Sequence, residues 1–248
     1  MASRVHPTSV VDPRAELAEG VEVGPYAVVG PGVRVGAGTR LHAHAVVLGP
    51  TALGEGNVVH PFAVLGGESQ HKRAAPTNEG RLVIGDRNVF REHTTVHRGT
   101  DAGPTSIGSD NLFMVGSHVA HDAVIGSSCT LANAVQLAGH ARALDHATFG
   151  GLSGVAQFVV VGESAFVAAG AMCEMDVPPF VIVQGDRARV RGLNLVGLRR
   201  RGVPEASIER LKSAFRLLFG KKMPRAEALQ EVERGDPFVD KLVLALGA

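Results

Sequence analysis

The sequence predicts a mainly β fold in which short parallel strands wind into a continuous coil, followed by a small α-helical domain. The main observation is a six-residue period: an aliphatic residue opens each unit, and a small residue follows four places later. A helix would place apolar residues every three or four positions, and a half-buried strand would alternate them. A six-residue unit instead suits one short strand and one turn. Three units then close a coil of 18 residues, and coils stack at a strand spacing of about 4.8 Å.

The period runs through most of the chain and breaks twice. Before the first break, units open at Val11, Leu17, Val23, Val29, Val35, Leu41, Val47, Leu53, Val59 and Leu65. They resume at Ile84, Phe90 and Val96, and then at Ile107, Phe113, Val119, Ile125, Leu131, Leu137, Ala143, Phe149, Val155, Val161 and Val167. Roughly two dozen units in phase exclude a chance match. The composition agrees, because 31 glycines and 13 prolines suit frequent turns and a hydrophobic fraction of 45% supplies a continuous core.

These hexads resemble those of the hexapeptide-repeat family, whose fold is a left-handed parallel β-helix. The resemblance implies such a helix over residues 1–185, with excursion loops at about 66–83 and 99–106 where the period breaks. The first loop is long and polar, which favours a functional surface loop. The second is short and rich in Gly and Pro, and we interpret it as a plain connection.

Residues 186–248 are predicted to form a helical domain that caps the coil. Pro204 and Glu205 open a segment that reads as a helix, since Pro at a first helical position with early acids fits a helix start. Its apolar residues recur at helical spacing, at Ile208, Leu211, Phe215, Leu218 and Phe219. Further short helices are predicted at 224–232 and 237–246.

The charge balance and the apolar stretches limit the possible partners. With 25 basic and 24 acidic residues, the net charge of +1 argues against a general nucleic-acid-binding surface. The first ten residues lack the apolar core of a signal peptide, and stretches such as 156–161 are too short to span a bilayer. We therefore expect a cytoplasmic protein with no membrane span and no nucleic-acid partner. Cys129 and Cys173 occupy core positions of the repeat and are predicted to be buried rather than reactive.

Histidines cluster in the middle of the chain, where five of the eleven occupy positions 93, 97, 118, 121 and 140. Residues 18 apart lie one above another in such a coil, so His121, Gly139 and Gln157 form one column. Asp122 and His140 stack in the next column. An imidazole can remove a proton from an attacking group, and a backbone N–H that no side chain covers can hold an oxyanion. The columns therefore predict an acyl-transfer site.

A series of short motifs follows almost the whole chain in order. They are Ile84-Gly85-Asp86-Arg87-Asn88, Val96-His97-Arg98-Gly99-Thr100, Gly108-Ser109-Asp110-Asn111-Leu112, His118-Val119-Ala120-His121-Asp122, Leu137-Ala138-Gly139-His140, Asp176-Val177-Pro178-Pro179-Phe180-Val181-Ile182, Gln184-Gly185 and Leu198-Arg199-Arg200-Arg201-Gly202. Together they resemble the UDP-N-acetylglucosamine 3-O-acyltransferases of lipid A biosynthesis, the LpxA family. Hexads alone would indicate only the superfamily.

The resemblance implies direct transfer of a hydroxyacyl chain from acyl carrier protein to the sugar 3-position, the first step of lipid A biosynthesis. It implies no cofactor, no metal and no covalent intermediate. His121 matches the general base, Asp122 the acid that assists it, and Gly139 the backbone oxyanion donor. The family forms homotrimers with sites between subunits.

The same resemblance assigns residues to substrate binding. Positions expected to contact the UDP-sugar or the acyl chain are Gln70, His71 and Arg73 in the first loop, His118, His140 and Gln157 in the pocket, Arg187, and Asn194, Arg200 and Arg201 at the nucleotide end. The last assignment agrees with the chemistry of the two arginines, because guanidinium groups suit phosphate oxygens. Ala169 matches a tiny residue at the end of the acyl groove, and its extra methyl predicts a chain shorter than the longest the family accepts.

Three positions depart from the family pattern. His71 replaces an acid that binds sugar hydroxyls, Ala156 replaces a histidine before Gln157, and Arg187 replaces a histidine. The change at His71 is compatible with relaxed sugar recognition or with a 3-amino sugar acceptor, which would give an amide-linked chain.

Other functions remain open on the sequence. His93, His118 and His121 are candidate ligands of a zinc site like that of the hexapeptide-repeat carbonic anhydrases. A related sugar-nucleotide acyltransferase would use acetyl-CoA as donor. A non-catalytic scaffold is the third alternative, and the intact pair His121 and Asp122 argues against it.

Overall fold

Short strands follow one another from residue 4 to residue 193 of the computed structural model, which describes residues 2–71, 80–100, 103–220 and 223–247. The first fourteen are β1 Arg4–Val5, β2 Val10–Val11, β3 Glu16–Leu17, β4 Glu22–Val23, β5 Val28–Val29, β6 Val33–Val35, β7 Arg40–Leu41, β8 Val46–Val47, β9 Thr51–Leu53, β10 Val58–Val59, β11 Val64–Gly67, β12 Leu82–Ile84, β13 Val89–Phe90 and β14 Thr95–His97. The others are β15 Thr105–Ile107, β16 Leu112–Phe113, β17 His118–Val119, β18 Val124–Ile125, β19 Thr130–Leu131, β20 Gln136–Leu137, β21 Arg142–Ala143, β22 Thr148–Phe149, β23 Gly154–Val155, β24 Val160–Val161, β25 Phe166–Val167, β26 Met172–Cys173, β27 Val181–Gln184 and β28 Arg189–Leu193.

The strands form three parallel sheets, which are the three faces of a coil. Face 1 has the order β1-β4-β7-β10-β13-β16-β19-β22-β25-β27-β28. Face 2 has the order β2-β5-β8-β11-β14-β17-β20-β23-β26. Face 3 has the order β3-β6-β9-β12-β15-β18-β21-β24. Up to β26, strands three places apart in the chain pair in parallel, as the six-residue period requires. At the end of face 1, β27 pairs with β25, and β28 pairs antiparallel with β27. The predicted mainly β parallel helix is confirmed.

The pairing register shows where the coil is regular. On face 2, Val119 pairs with Leu137, and Leu137 pairs with Val155, so neighbours lie 18 residues apart. The interval rises to 31 residues across the first excursion and to 23 across the second. Both excursions are shorter than predicted. Strand β11 continues to Gly67 and β12 begins at Leu82, while β15 already begins at Thr105.

The residues that open the units point into the coil and form its core. Val119 is fully buried, and Ala123, four places later, is buried as well. The rings of Phe90 and Phe113 stack between coils with centroids 4.7 Å apart. Each such side chain contributes on the order of 1.5–3 kcal/mol through burial. Packing in this core therefore explains why the residue that opens each unit is apolar and why the residue four places later is small.

Both cysteines are buried in this core, as the repeat predicted. Burial raises the pKa of the Cys129 thiol to about 12 and that of Cys173 to about 11. Neither thiol is therefore ionised near neutral pH, so neither is a nucleophile there.

The C-terminal region begins with a hairpin rather than with a helix. Strands β27 and β28 pair antiparallel, so the helical domain placed at 186–248 actually starts at Leu195. Its helices are α1 Leu195–Arg200, α2 Glu205–Phe219, α3 Arg225–Glu231 and α4 Pro237–Gly247. Pro204 is the N-cap of α2 rather than its first helical residue.

Helix α2 closes the end of the coil. Its residues Ile208 and Leu211 are fully buried in a separate helical cluster, whereas Phe215 and Phe219 pack against the core of the coil. The two phenylalanine rings stack with centroids 4.6 Å apart. Helix α2 thus covers apolar surface that a last coil would leave exposed. None of the described helices is long and apolar enough to cross a membrane.

Candidate active site

His121 and Asp122 lie at the corner where the chain passes from β17 on face 2 to β18 on face 3. Asp122 has a φ of 59°, a left-handed conformation that turns the chain at this corner. The imidazole Nδ1 of His121 lies 2.7 Å from Oδ2 of Asp122, and the two side chains are only 10% and 5% exposed. An ionised carboxylate only accepts hydrogen bonds, so Nδ1 carries the proton. The other nitrogen, Nε2, keeps its lone pair.

The Asp122 carboxylate is held by several donors. Thr100 donates its backbone N–H to Oδ1 and its hydroxyl to Oδ2, each at 2.8 Å. Nε2 of His140 lies 3.7 Å from Oδ2. Burial acts to raise the pKa of Asp122, but the hydrogen bonds from His121 and Thr100 outweigh it and hold that pKa below its usual value. Asp122 is therefore ionised at neutral pH.

Gly139 lies directly against the His121 ring in the next coil. A Cβ at this position would lie 2.8 Å from both Cε1 and Nε2 of His121. A backbone hydrogen bond from His140 N to His121 O, 3.0 Å long, fixes the position of these two coils relative to each other. Among the described residues, none accepts a hydrogen bond from the N–H of Gly139. A proton acceptor and a free backbone donor therefore lie side by side, as the 18-residue columns predicted.

A groove of about 1010 Å³ runs along face 2 past this pair. The side chains on the floor of the groove are small, because three successive coils place an alanine directly after the buried residue that opens the unit. These alanines are Ala120, Ala138 and Ala156. Its polar end is lined by Gln70, His71, His97 and His118, and its far end by Met172, Cys173, Glu174 and Asp186. Small apolar side chains leave room for an extended hydrocarbon chain along the coil axis.

The polar end contains imidazoles that are neutral at pH 7. Burial, with a smaller contribution from His97, lowers the pKa of His118 to about 4. Burial, with a smaller contribution from His121, also lowers the pKa of His97. Nδ1 of His118 lies 2.7 Å from the Thr95 hydroxyl, and the His71 ring stands edge-on to His121 at 5.9 Å. Neutral imidazoles both donate and accept hydrogen bonds, which suits sugar hydroxyls.

Comparison with known proteins bears directly on this geometry. A relative from Alkalilimnicola ehrlichii, an acyl-[acyl-carrier-protein]–UDP-N-acetylglucosamine O-acyltransferase, is 51% identical over 99% of this chain and 97% of its own length. The chain belongs to the UDP-N-acetylglucosamine O-acyltransferase family. A second relative with the same name, from Stenotrophomonas maltophilia, is 48% identical over 93% of this chain and 89% of its own length. The family model "Udp N-acetylglucosamine O-acyltransferase; Domain 2" matches residues 176–246.

Solved structures of UDP-N-acetylglucosamine acyltransferases share the fold. The protein from Francisella novicida superimposes with a TM-score of 0.94 at 32% identity, over 98% of this chain and 91% of its own. The protein from Moraxella catarrhalis superimposes with a TM-score of 0.93 at 37% identity, over 100% of this chain and 97% of its own. The predicted family and fold are therefore both confirmed.

Most residues that the family resemblance assigned to the pocket lie around the groove. The groove wall includes Gln70, His71, His118, His121, Gly139 and Gln157. The His140 ring meets the His121 ring edge-on, with centroids 5.3 Å apart. Arg187 lies at the far end, where it pairs with Glu174 at 3.2 Å. Arg73 lies outside the described residues.

The residues assigned to the nucleotide end lie elsewhere in this chain. The Asn194 amide caps α1 by accepting from Gly197 N and donating to Ser164 O, each at 3.0 Å. Arg201 pairs with Glu163 after β24, at the corner between faces 3 and 1. Arg200 is exposed at the end of α1. One chain therefore does not bring these residues to the His121 corner.

Two features of the site were not predicted from the sequence. Thr100 donates to both carboxylate oxygens of Asp122, so the second excursion, interpreted from the sequence as a plain connection, also contacts the candidate site. The only signal was its place in the motif from Val96 to Thr100. Met172 lines the groove, whereas Ala169 is exposed at a corner and is not among the lining residues.

The positions of the candidate zinc ligands within one chain argue against the zinc alternative. His93 stacks on Phe62 at 5.4 Å, at the corner between faces 1 and 2, and so lies apart from His121. Across the described ranges, the group whose ligand atoms lie within 4.8 Å of one another is His121, Asp122 and His140. The carboxylate in that group already accepts three hydrogen bonds. These contacts favour a base and its partner over a metal centre.

Proposed function

We propose that this protein transfers a 3-hydroxyacyl chain from acyl carrier protein to the 3-position of UDP-N-acetylglucosamine, the first step of lipid A biosynthesis. One observation carries the proposal: the His121–Asp122 pair lies against the free N–H of Gly139 at the wall of an apolar groove. Close relatives that bear this enzyme name cover nearly the whole chain.

The chemistry follows from the positions of the atoms. Nε2 of His121 takes the proton of the sugar 3-hydroxyl as its oxygen attacks the thioester carbonyl carbon. The carbonyl oxygen becomes negative and accepts a hydrogen bond from Gly139 N–H. When the C–S bond breaks, the departing thiolate takes the proton from Nε2 of His121. Asp122 remains ionised and stabilises the imidazolium while it exists.

We place the acyl chain over the alanine floor of the groove and the sugar at its polar end. The hydroxyl-binding groups at that end are His71 and His118, and Gln157 lines the same cavity two coils beyond His121. Because acyl carrier protein and the UDP-sugar are both intracellular intermediates, we place the reaction in the cytoplasm.

A homotrimer would complete the site. Asn194, Arg200 and Arg201 lie away from the His121 corner in one chain, so a neighbouring subunit has to supply residues of this kind. Sedimentation analysis should give three times the chain mass of 25.8 kDa. A monomer under assay conditions would contradict the proposed trimer.

The acceptor is tested by mass spectrometry of the products. Purified protein is incubated with UDP-N-acetylglucosamine or its 3-amino analogue, together with a series of acyl carrier protein thioesters or with acetyl-CoA. We expect an ester on the 3-hydroxyl, formed only with the carrier thioesters, because the relatives that cover nearly the whole chain are named acyl-[acyl-carrier-protein]–UDP-N-acetylglucosamine O-acyltransferases. Hydroxylamine removes an ester and leaves an amide, which identifies the linkage.

Each outcome of that experiment has a meaning. If the only product were the amide of the 3-amino analogue, the acceptor would be the amino sugar and not UDP-N-acetylglucosamine. Product formed with acetyl-CoA but not with the carrier thioesters would show that acetyl-CoA is the acyl donor. Absence of any product above the level of a His121→Ala blank would contradict acyl transfer altogether.

Met172 is expected to limit the length of the acyl chain. A Cβ at Gly154 would meet its sulfur at 2.8 Å, so the Met172 side chain lies across the groove floor. Met172→Gly should shift the preferred donor toward longer chains, since each extra buried methylene gains about 0.8 kcal/mol. The measurement is kcat/KM across a thioester length series.

The matched control for Met172→Gly is Met175→Gly, which removes an exposed methionine that does not line the groove. The two variants should differ in chain-length profile. An identical profile for Met172→Gly and the wild type would show that the groove ends elsewhere, for example at Ala169.

A further inference from the structure

The second excursion reaches back to hold the Asp122 carboxylate. The chain leaves face 2 after His97 and re-enters the coil at Thr105. Between them, Thr100 donates to both carboxylate oxygens of Asp122, at 2.8 Å each. Its hydroxyl reaches Oδ2, the same oxygen that receives Nδ1–H of His121. The loop therefore acts on the atom that orients the imidazole.

The excursion itself is fixed to the coil at several points. Arg98 N donates to Gly67 O at 2.9 Å, and Gly99 N donates to Arg81 O at 3.0 Å. Gly99 allows a very close turn, because a Cβ there would lie 1.9 Å from Gly103 O. The buried hydroxyl of Thr105 accepts the backbone N–H of Asp122 at 2.8 Å. Asp122 is thus held through its backbone and its side chain by one short segment.

A second imidazole competes for the same carboxylate oxygen. Nε2 of His140 lies 3.7 Å from Oδ2 of Asp122, whereas Nδ1 of His121 lies 2.7 Å from it. Rotation of the carboxylate would bring it toward His140 and away from His121. The two hydrogen bonds from Thr100 fix both oxygens at once, which opposes that rotation.

We propose that Thr100 is a positioning residue for acyl transfer, which fixes the Asp122 carboxylate so that it selects the Nδ1–H tautomer of His121. This proposal rests on the proposed function, because the selected tautomer is the one that leaves Nε2 facing the groove as a base. Thr100 itself is not among the described residues that line the groove.

The test compares variants that differ by one hydroxyl. Thr100→Val keeps the shape and the backbone donor but removes the hydroxyl, whereas Thr100→Ser keeps it. We expect Thr100→Val to lower kcat roughly 10- to 100-fold, the range for one lost hydrogen bond to a charged group, with little change in KM for the UDP-sugar. Thr100→Ser should restore most of the activity. Thr130→Val, on face 1 away from the groove, is the matched control and should behave as wild type.

Two further readouts separate positioning from a structural role. The Thr100 hydroxyl bond lowers the pKa of Asp122, so its loss raises that pKa. Carbon-13 NMR of the Asp122 carboxyl in the free protein should therefore titrate at higher pH in Thr100→Val. In a His121→Ala background, Thr100→Val should have no further effect on turnover.

Wild-type kcat in Thr100→Val would overturn the proposal. So would an equal loss in the His121→Ala background, because the effect would then not pass through His121. The NMR titration needs no substrate. If wild-type protein showed no acyl transfer while the Asp122 titration still moved, the proposed function would fail and the coupling of Thr100 to Asp122 would stand.

Discussion

Replacing His121 by alanine is expected to lower kcat about 10²- to 10⁴-fold, the usual cost of losing a positioned general base. The physical reason is that Nε2 of His121, the proposed proton acceptor, lies beside Gly139, and its orientation depends on the 2.7 Å bond from Nδ1 to Asp122. KM for the UDP-sugar should change little, because neighbouring groups such as His118 and Gln157 remain on the groove wall. The measurement is steady-state turnover with a hydroxyacyl carrier thioester.

A matched histidine variant separates this effect from general instability. His6 is exposed in the first coil, so His6→Ala should leave both turnover and melting temperature unchanged. The space left by the missing ring opens into the groove, so added imidazole should restore part of the activity of His121→Ala. Near wild-type turnover in His121→Ala would show that another group removes the proton.

Gly139→Ala is expected to cause the second large loss, at least about 10²-fold in kcat. The added Cβ would lie 2.8 Å from Nε2 of His121, well inside van der Waals contact. The imidazole must then move, and a displacement on the order of 1 Å from the reactive geometry costs about 10²-fold. The methyl group also crowds the N–H that would hold the oxyanion.

The control for this substitution is Gly192→Ala, since a Cβ at Gly192 meets no atom within 4 Å. Both variants should fold, because alanine is compatible with a φ outside the left-handed region at these two positions. Activity and circular dichroism are measured together. Full activity in a folded Gly139→Ala protein would rule out close contact between His121 and the backbone of residue 139.

The variants His121→Ala and Gly139→Ala test the two partners of one contact, between the His121 ring and the backbone of Gly139. In the proposed mechanism the His121 ring lies beside the donor for the developing negative charge, and a side chain at Gly139 would push the ring away from that donor. The ionised state of Asp122 completes the arrangement, because hydrogen bonds from His121 and Thr100 hold its pKa low in spite of burial.

Much of this site follows from the six-residue period. The period predicts the register of the coil, and the register places His121 under Gly139 and Asp122 under His140 before any coordinates are considered. The bond from His140 N to His121 O confirms that stacking. Such positions are predictable because each coil repeats the same geometry, so a difference of 18 residues is a spatial neighbour.

The parts that escaped prediction lie where the period stops. Thr100 belongs to an excursion, and no repeat specifies where its hydroxyl points. Strand β28 follows the last coil and pairs antiparallel with β27, outside the six-residue period, so the sequence did not separate it from the helical domain. Met172 does lie in the repeat, but its reach over Gly154 depends on side-chain packing.

The sequence by itself therefore determined the coil, its register and the columns that bring His121, Asp122 and Gly139 together. Local periodicity was enough, because parallel strands with a fixed repeat have only one way to stack. The tertiary structure alone decided which groups hold Asp122 and which side chains line the far end of the groove. It also showed that Asn194 and Arg201 lie away from the His121 corner in one chain. Those contacts join segments that no period relates, so they depend on loop conformation and side-chain packing rather than on residue spacing.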